Sequence, residues 1–469
     1  MLRMSLLAVV ALCLLAEPAD KISRVEGGLR AGVQVAGEPD SRWTIEERMS
    51  RHKVPGVSVA VINNGKLEWA KAYGVIDATT AQRANVKTMF QAASISKPVS
   101  ALAALRLVAQ GKLNLDADIN VSLKSWKIPA HSFARPVTLR NILSHTAGTT
   151  VHGFPGYKSN VSVPTAVQVL TGGAPANTPS VIVNAEPGSI WHYSGGGYTI
   201  MQVLMTDVTG KSFDVLLQDS ILGPLGMMRS TFEQPLPERF AANAARAHGN
   251  EGKPIADRWH TYPEQAAAGL WTTPTDLAKV LIAVQRAHNG ETKLLPASLT
   301  REMLTEGKGD FGLGWALAGK DEDLAFSHNG ANAGFRCMAW GYAKKGQGAV
   351  VMTNGDNGSS LASEILRSIA AEYNWSDHKV QTRTPLSMSK EQLAAFVGTY
   401  KASGGEITIT VNGKGIHVRT PGPTAELLPE SLTKFFPIAD GVPSFTFEKN
   451  ADGKVIGFQA GNMKATRKD

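Results

Sequence analysis

Cysteine is nearly absent from these 469 residues: there are two, Cys13 and Cys337. Cys13 lies in an apolar N-terminal stretch, so a processed chain would keep a single thiol. That excludes an intrachain disulfide and leaves too few ligands for a cysteine-based metal site. Charge is sparse too, at 19% of residues. The 48 basic and 40 acidic residues leave a net +8, without like-charge runs or aromatic–basic interleaving. Such a surface gives no reason to expect a nucleic-acid partner. Long hydrophobic runs are missing beyond Ala16, so no transmembrane segment is expected in the mature chain. Glycine is plentiful, at 46, but no period-three repeat accompanies it, which excludes a collagen-like chain. With 43% apolar residues the chain can bury a large core, and disorder is excluded. Its length suggests two or three domains, at ~100–200 residues each.

What is present begins at the N-terminus. Ser5 to Ala16 read SLLAVVALCLLA after Arg3, short of the ~20 residues that span a bilayer. A positive start and a short apolar run predict a secretory signal peptide over 1–19, with cleavage after Ala16 or Ala19. The chain is then exported, to the periplasm or the medium. A short membrane-proximal anchor is the alternative. The segment VALC is a poor lipoprotein signal, because Leu12 precedes Cys13.

Residues 54–75 hold two apolar runs around Asn64-Gly65, a pair suited to a type I′ hairpin turn. From about residue 98 to 300 the texture is helical: Pro98 to Gln110, Ile200 to Val208 and Pro274 to Arg286 carry helical spacing. Gly111 suits the end of the first. Strands return at Met338–Ala343 and Ala349–Thr353, and Leu361–Ala371 reads as a closing helix. The expected architecture is α/β, a sheet flanked by helices with a helical insertion. Residues 374–392 are polar and read as a linker. Beyond them, short alternating runs such as Glu406–Val411 and Ser444–Glu448, broken by Asn412-Gly413 and Asp452-Gly453, predict a small barrel or sandwich. The domains are therefore 20–373 and 393–469, after the signal segment and on either side of the linker.

The chemistry centres on Ser94-Ile95-Ser96-Lys97. Ser-x-x-Lys occurs five times, at Ser50, Ser94, Ser376, Ser387 and Ser431, so the pattern alone decides nothing. Only Ser94 follows a strand-like approach (Thr88–Ala92) and opens a long apolar helix. A helix N-terminus favours developing negative charge, and the i, i+3 spacing puts Lys97 on the same face. A buried lysine beside a serine can act as its base or hold a proton shuttle in place. The other four occurrences read as capping serines followed by surface lysines. Competing motifs fail. Gly210-Lys211-Ser212 ends like a phosphate-binding loop, but the required first glycine falls at Met205. There is no Gly-x-Ser-x-Gly elbow and no HExxH. His145 and His152 read as structural residues of a Gly/Thr loop, and no metal or other cofactor is implied.

FQAASISKPVSA resembles the nucleophile region of the penicillin-binding and serine β-lactamase superfamily. The likeness is to the class C β-lactamase-like branch, with its D-aminopeptidases, DD-carboxypeptidases and esterases. VPGVSVAVINNGK, GKLNLDADI, VTLRNILSHTAGT (with Ser144, His145 and Gly148), AAAGLWTTPTDLAKV and FGLGWAL follow in the family's order, over roughly residues 45–373. The C-terminal region resembles the lipocalin-like barrel that trails some of these hydrolases, where it would act as a lid or an oligomer contact, or simply stabilise.

The resemblance implies a second motif at Tyr193-Ser194-Gly195, with Tyr193 as acid–base partner of Ser94 and Lys97. The family usually places Asn where Gly195 stands, a substrate contact. It implies a third motif at His328-Asn329-Gly330, where β-lactamases of this branch carry Lys-Thr-Gly. His328 is then expected to donate to substrate or tune Tyr193, titrating near ~6.5. Gly330 would admit substrate closely, and the N–H groups of Ser94 and Ala331 would form the oxyanion hole. The implied activity is acyl-enzyme hydrolysis of an ester or amide in a small-molecule or peptide substrate. A class C-type β-lactamase and a penicillin-binding sensor that acylates without turnover are the alternatives. A homo-oligomer joined through the C-terminal domain is a further expectation. Activity is expected to rise between about pH 6 and 8 as the Lys97–Tyr193 pair loses a proton.

Overall fold

The computed structural model describes residues 18–292, 294–420, 424–438 and 442–468. Residues 1–17 of the expected signal segment, with Cys13, lie outside them. A helix, α1 (Pro18–Glu26), opens the described chain.

The Asn64-Gly65 hairpin forms as its sequence dictates. Both residues have positive φ, 52° and 67°, the requirement of a type I′ turn. It joins β1 (Gly56–Asn63) to β2 (Lys66–Gly74). Four later strands complete one sheet: β3 (Ala316–Ala318), β4 (Ala325–Asn332), β5 (Phe335–Tyr342) and β6 (Gly348–Thr353). The order is β2-β1-β6-β5-β4-β3, antiparallel throughout. Seven of the eight residues of β1 are buried, because helices cover both faces of the sheet. One face carries α1 and the closing helix; Val57, Val59 and Val61 pack there with Leu361, Ile365 and Ile369. Ala60 and Ile62 point the other way, into the larger core of the helical region.

The predicted helices are present and slightly longer: α2 (Ser96–Ala109), α3 (Gly195–Thr209), α4 (Pro274–His288) and α5 (Gly358–Glu372). Thr273 caps α4 and Pro274 occupies its first turn, where the missing N–H costs nothing. No helix among the described residues is long and apolar enough to cross a membrane.

The C-terminal region is a closed eight-stranded antiparallel barrel in sequence order, β7 (Gly398–Ala402) to β14 (Met463–Arg467). Its centre is solid: Phe396, Phe435, Phe447 and Phe458 fill it. The stretch read as a linker is more structured than its polarity suggests. Gln381–Arg383 pairs in parallel with Val33–Val35, and the helix Lys390–Ala394 sends Leu393 into the barrel core. Polar composition hid both, since one is a three-residue strand and the other a single turn with one buried residue.

Candidate active site

Ser94 sits on one turn of 3₁₀-helix, Ala93–Ile95, immediately before α2. The approach is tight. Ala93 has φ 50°, a left-handed conformation that costs a non-glycine residue about 1–3 kcal/mol. Its surroundings hold it there. The Ala92 N–H donates to the Leu270 carbonyl at 2.8 Å. The Ser96 hydroxyl donates to the Ala93 carbonyl at 2.6 Å and accepts from the Leu270 N–H at 2.9 Å. The AAAGLW segment is thus the clamp on the nucleophile turn.

Lys97 is 2% exposed. Its Nζ donates to Ser94 Oγ at 3.1 Å and to the Ala267 carbonyl at 2.9 Å, so the same segment aims the lysine at the serine. Nζ lies 4.9 Å from the centre of the Tyr193 ring and 5.8 Å from that of Tyr198. Tyr193 precedes α3. Next to it, Ser194 caps that helix by accepting the Gly197 N–H at 2.9 Å.

His145 lies against Tyr193, ring centres 4.2 Å apart. Its Nδ1 accepts the Ser194 N–H at 3.2 Å. Burial, then the Lys97 charge, holds His145 well below the ordinary histidine range, so it is neutral. The SHTAG segment therefore carries the packing surface for Tyr193. Its sequence signal was visible, but nothing in the sequence said which side chain it faced.

β4 supplies the opposite wall. The Ala343 N–H donates to Leu324 at 2.8 Å, and the Arg336 carbonyl faces β6, accepting from the Thr353 hydroxyl at 2.9 Å. These fix the alternation of the β4–β5 ladder. Ala331, opposite Arg336, turns its N–H away from β5. β3 pairs only with Ala325–Ser327, so this edge is open where the nucleophile turn approaches. A Cβ on Gly330 would lie 2.2 Å from the Ala92 carbonyl oxygen. Gly330 is thus required for contact with the nucleophile turn. Asn329 is exposed beside it.

Two expectations change. His328 Nδ1 lies 2.7 Å from the Asn329 carbonyl, so Nδ1 carries the hydrogen and Nε2 is left as a buried acceptor without a protein partner. It cannot donate to substrate from that atom. Burial, reinforced by the Lys97 charge, pushes His328 down to about 3, so it does not titrate near neutrality. Gly195 is buried and does not line the cavity. A Cβ there would lie 2.8 Å from the Phe154 ring, so its role is to let α3 pack on that residue.

Ser94, Tyr193, His328, Asn329, Gly330 and Ala331 open into one cleft of about 970 Å³. Phe154, Trp191 and Phe311 form an aromatic wall; Phe311 opens the FGLGWAL segment, whereas no motif marks Phe154 or Trp191. No described barrel residue lines the cleft, so the barrel is not a lid over it in this arrangement. The remaining cysteine, Cys337, is buried and free; burial pushes its thiol up to about 12.

Residues 42–373 match the Beta-lactamase family. The chain belongs to that family. Penicillin-binding protein 4 of Amycolatopsis lactamdurans is 25% identical over 374 residues, 76% of this chain and 95% of that one. The octameric penicillin-binding protein homologue of Pyrococcus abyssi shares the fold with a TM-score of 0.62 at 22% identity, over 90% of this chain and 98% of that one. EstCE1, a hydrolase with promiscuous acyltransferase activity, does so at 0.58 and 21%, over 75% and 98%. The match ends at the close of α5, before the barrel begins.

Proposed function

We propose that the chain is a serine hydrolase that cleaves ester or amide bonds through an acyl-enzyme on Ser94. The observation that carries this reading is the 3.1 Å contact between Ser94 Oγ and the buried Lys97 Nζ at the floor of an open cleft. Oγ attacks the substrate carbonyl carbon, and its proton passes to the Lys97–Tyr193 pair. The carbonyl oxygen, now negative, accepts from the Ser94 and Ala331 N–H groups. Collapse breaks the bond to the leaving group, which takes the proton back. Water then repeats the sequence on the acyl-enzyme and releases the acid.

With a neutral histidine in the third motif, the reading favours an esterase or peptidase over an efficient β-lactamase. An exported chain follows from the N-terminal segment. Self-association is proposed because the Pyrococcus relative is octameric, and light scattering on the purified chain tests it.

A fluorophosphonate probe followed by mass mapping is expected to label Ser94, and Ser94→Ala to lose turnover of p-nitrophenyl esters. Label elsewhere, or unchanged turnover in the variant, overturns the proposal. A single stoichiometric burst with no steady state would mark a binding module instead.

A further inference from the structure

The cleft that contains Ser94 has an unusual electrostatic character. None of its lining side chains is an arginine, lysine, aspartate or glutamate; the ionisable ones are His152, His192, His328 and Tyr193. Lys97 and Arg336, the charges beneath and behind it, are both occupied. Lys97 lies beneath Ser94 and is spent on Oγ and the Ala267 carbonyl. Arg336, behind β4, is tied to Asp356 at 2.9 Å and to the Asn332 and Phe335 carbonyls at 2.6 and 2.8 Å. Lys308 and Asp310 bracket Gly309 at the mouth but are exposed and opposite in sign. His328 is held neutral by its burial.

The lining is instead aromatic. Phe311 is 5% exposed and stacks at 6.1 Å with Trp191, which is 39% exposed; Ile190 beside it is 48% exposed. The apolar wall therefore runs from inside the cleft to its rim. A carboxylate placed here would find neither arginine nor lysine among the lining side chains and would face aromatic rings, whose negative faces do not favour an anion. An aryl or alkyl body would gain by burial, and the volume suits a small-molecule ligand.

We infer that this cleft selects uncharged acyl groups with an apolar body, such as arylacetyl or medium-chain alkanoyl esters, and rejects acyl groups that carry a carboxylate. Trp191 is the specificity-determining residue of that wall. The inference rests on Ser94 being the acylated residue.

Two p-nitrophenyl esters of similar shape test it on the full chain: the phenylacetate and the 4-carboxyphenylacetate, whose carboxylate cannot reach its own ester carbonyl. The phenylacetate is expected to exceed the 4-carboxyphenylacetate in kcat/KM by about 10²-fold. Trp191→Ala is expected to raise KM for the phenylacetate about 10-fold while moving the acetate much less. Ala316→Lys, which puts a cation into the lining away from the nucleophile, is expected to raise the 4-carboxyphenylacetate over the phenylacetate by about 10-fold relative to the parent. Equal or faster hydrolysis of the 4-carboxyphenylacetate by the parent overturns the selectivity, even with Ser94 labelled by fluorophosphonate. If Ser94 is neither labelled nor needed, the acyl-enzyme reading falls and the selectivity falls with it; if Ser94 is labelled but no ester is turned over, the selectivity alone falls.

Discussion

His328 and Glu264 carry opposite consequences of the same burial. His328 is neutral in the fold and protonates readily in the unfolded chain at ~6.5. Its contribution to stability is therefore present above that pH and is lost as pH falls toward about 3. For the same reason it adds no inflection to activity near neutrality. His328→Ala is expected to lower kcat/KM while leaving the pH profile between about 5 and 8 unchanged in shape; a limb that vanishes in the variant would show that the histidine titrates. Glu264 is 0% exposed and neither carboxyl oxygen has a partner. Burial pushes it up to about 8, against ~4.3 unfolded. Its contribution is present below ~4.3 and is lost as pH rises to about 8. Glu264→Gln is expected to raise the melting temperature at pH ~8.5 by a degree or more, and to change little at pH ~4.5. Thermal melts at the two pH values check the sign. Gly330→Ala forces a Cβ to 2.2 Å from the Ala92 oxygen; about 1–3 kcal/mol of stability and most of the activity should go.

Elements explain why parts of this site were readable in the sequence and others were not. The Asn64-Gly65 turn and the Ser94–Lys97 spacing are local, so residue type and periodicity suffice to place them. The faces of Gly195 and His328 are not local. Gly195 is set by how α3 meets the 152–154 loop, and the tautomer of His328 by a carbonyl one residue away on a strand whose register depends on β5. The nucleophile turn shows the same division. Ser96 lies inside the quoted motif, yet its work is done through Leu270, 174 positions away along the chain. Ser96→Ala removes both of its hydrogen bonds and leaves the Leu270 N–H without its buried partner. A loss of about 1–3 kcal/mol is expected, with kcat reduced because Ala93 is freer to leave its left-handed conformation. Unchanged kcat in a destabilised variant would show that the clamp serves the fold alone.

The molecule joins two cores that share little. The barrel meets the rest of the chain through a small cluster of Val35, Leu428 and Phe436, and through the Arg383–Glu430 ion pair at 3.0 Å. Its own core is the aromatic set around Phe447, whose ring lies 4.7 Å from Phe396, 5.4 Å from Phe435 and 5.5 Å from Phe458. The cleft, by contrast, draws its described walls entirely from the family domain. Stability and chemistry should therefore separate along the chain. Phe447→Ala is expected to cost the barrel about 3–5 kcal/mol, and calorimetry should show a low-temperature transition moving while a second stays in place. Ester turnover below the first transition should stay within about twofold of the parent, since no lining residue has moved. A single transition that shifts as one, or turnover lost in step with the barrel, would mean that the two cores fold and work as a unit. The barrel would then belong to the catalytic machinery in spite of its distance from the cleft wall.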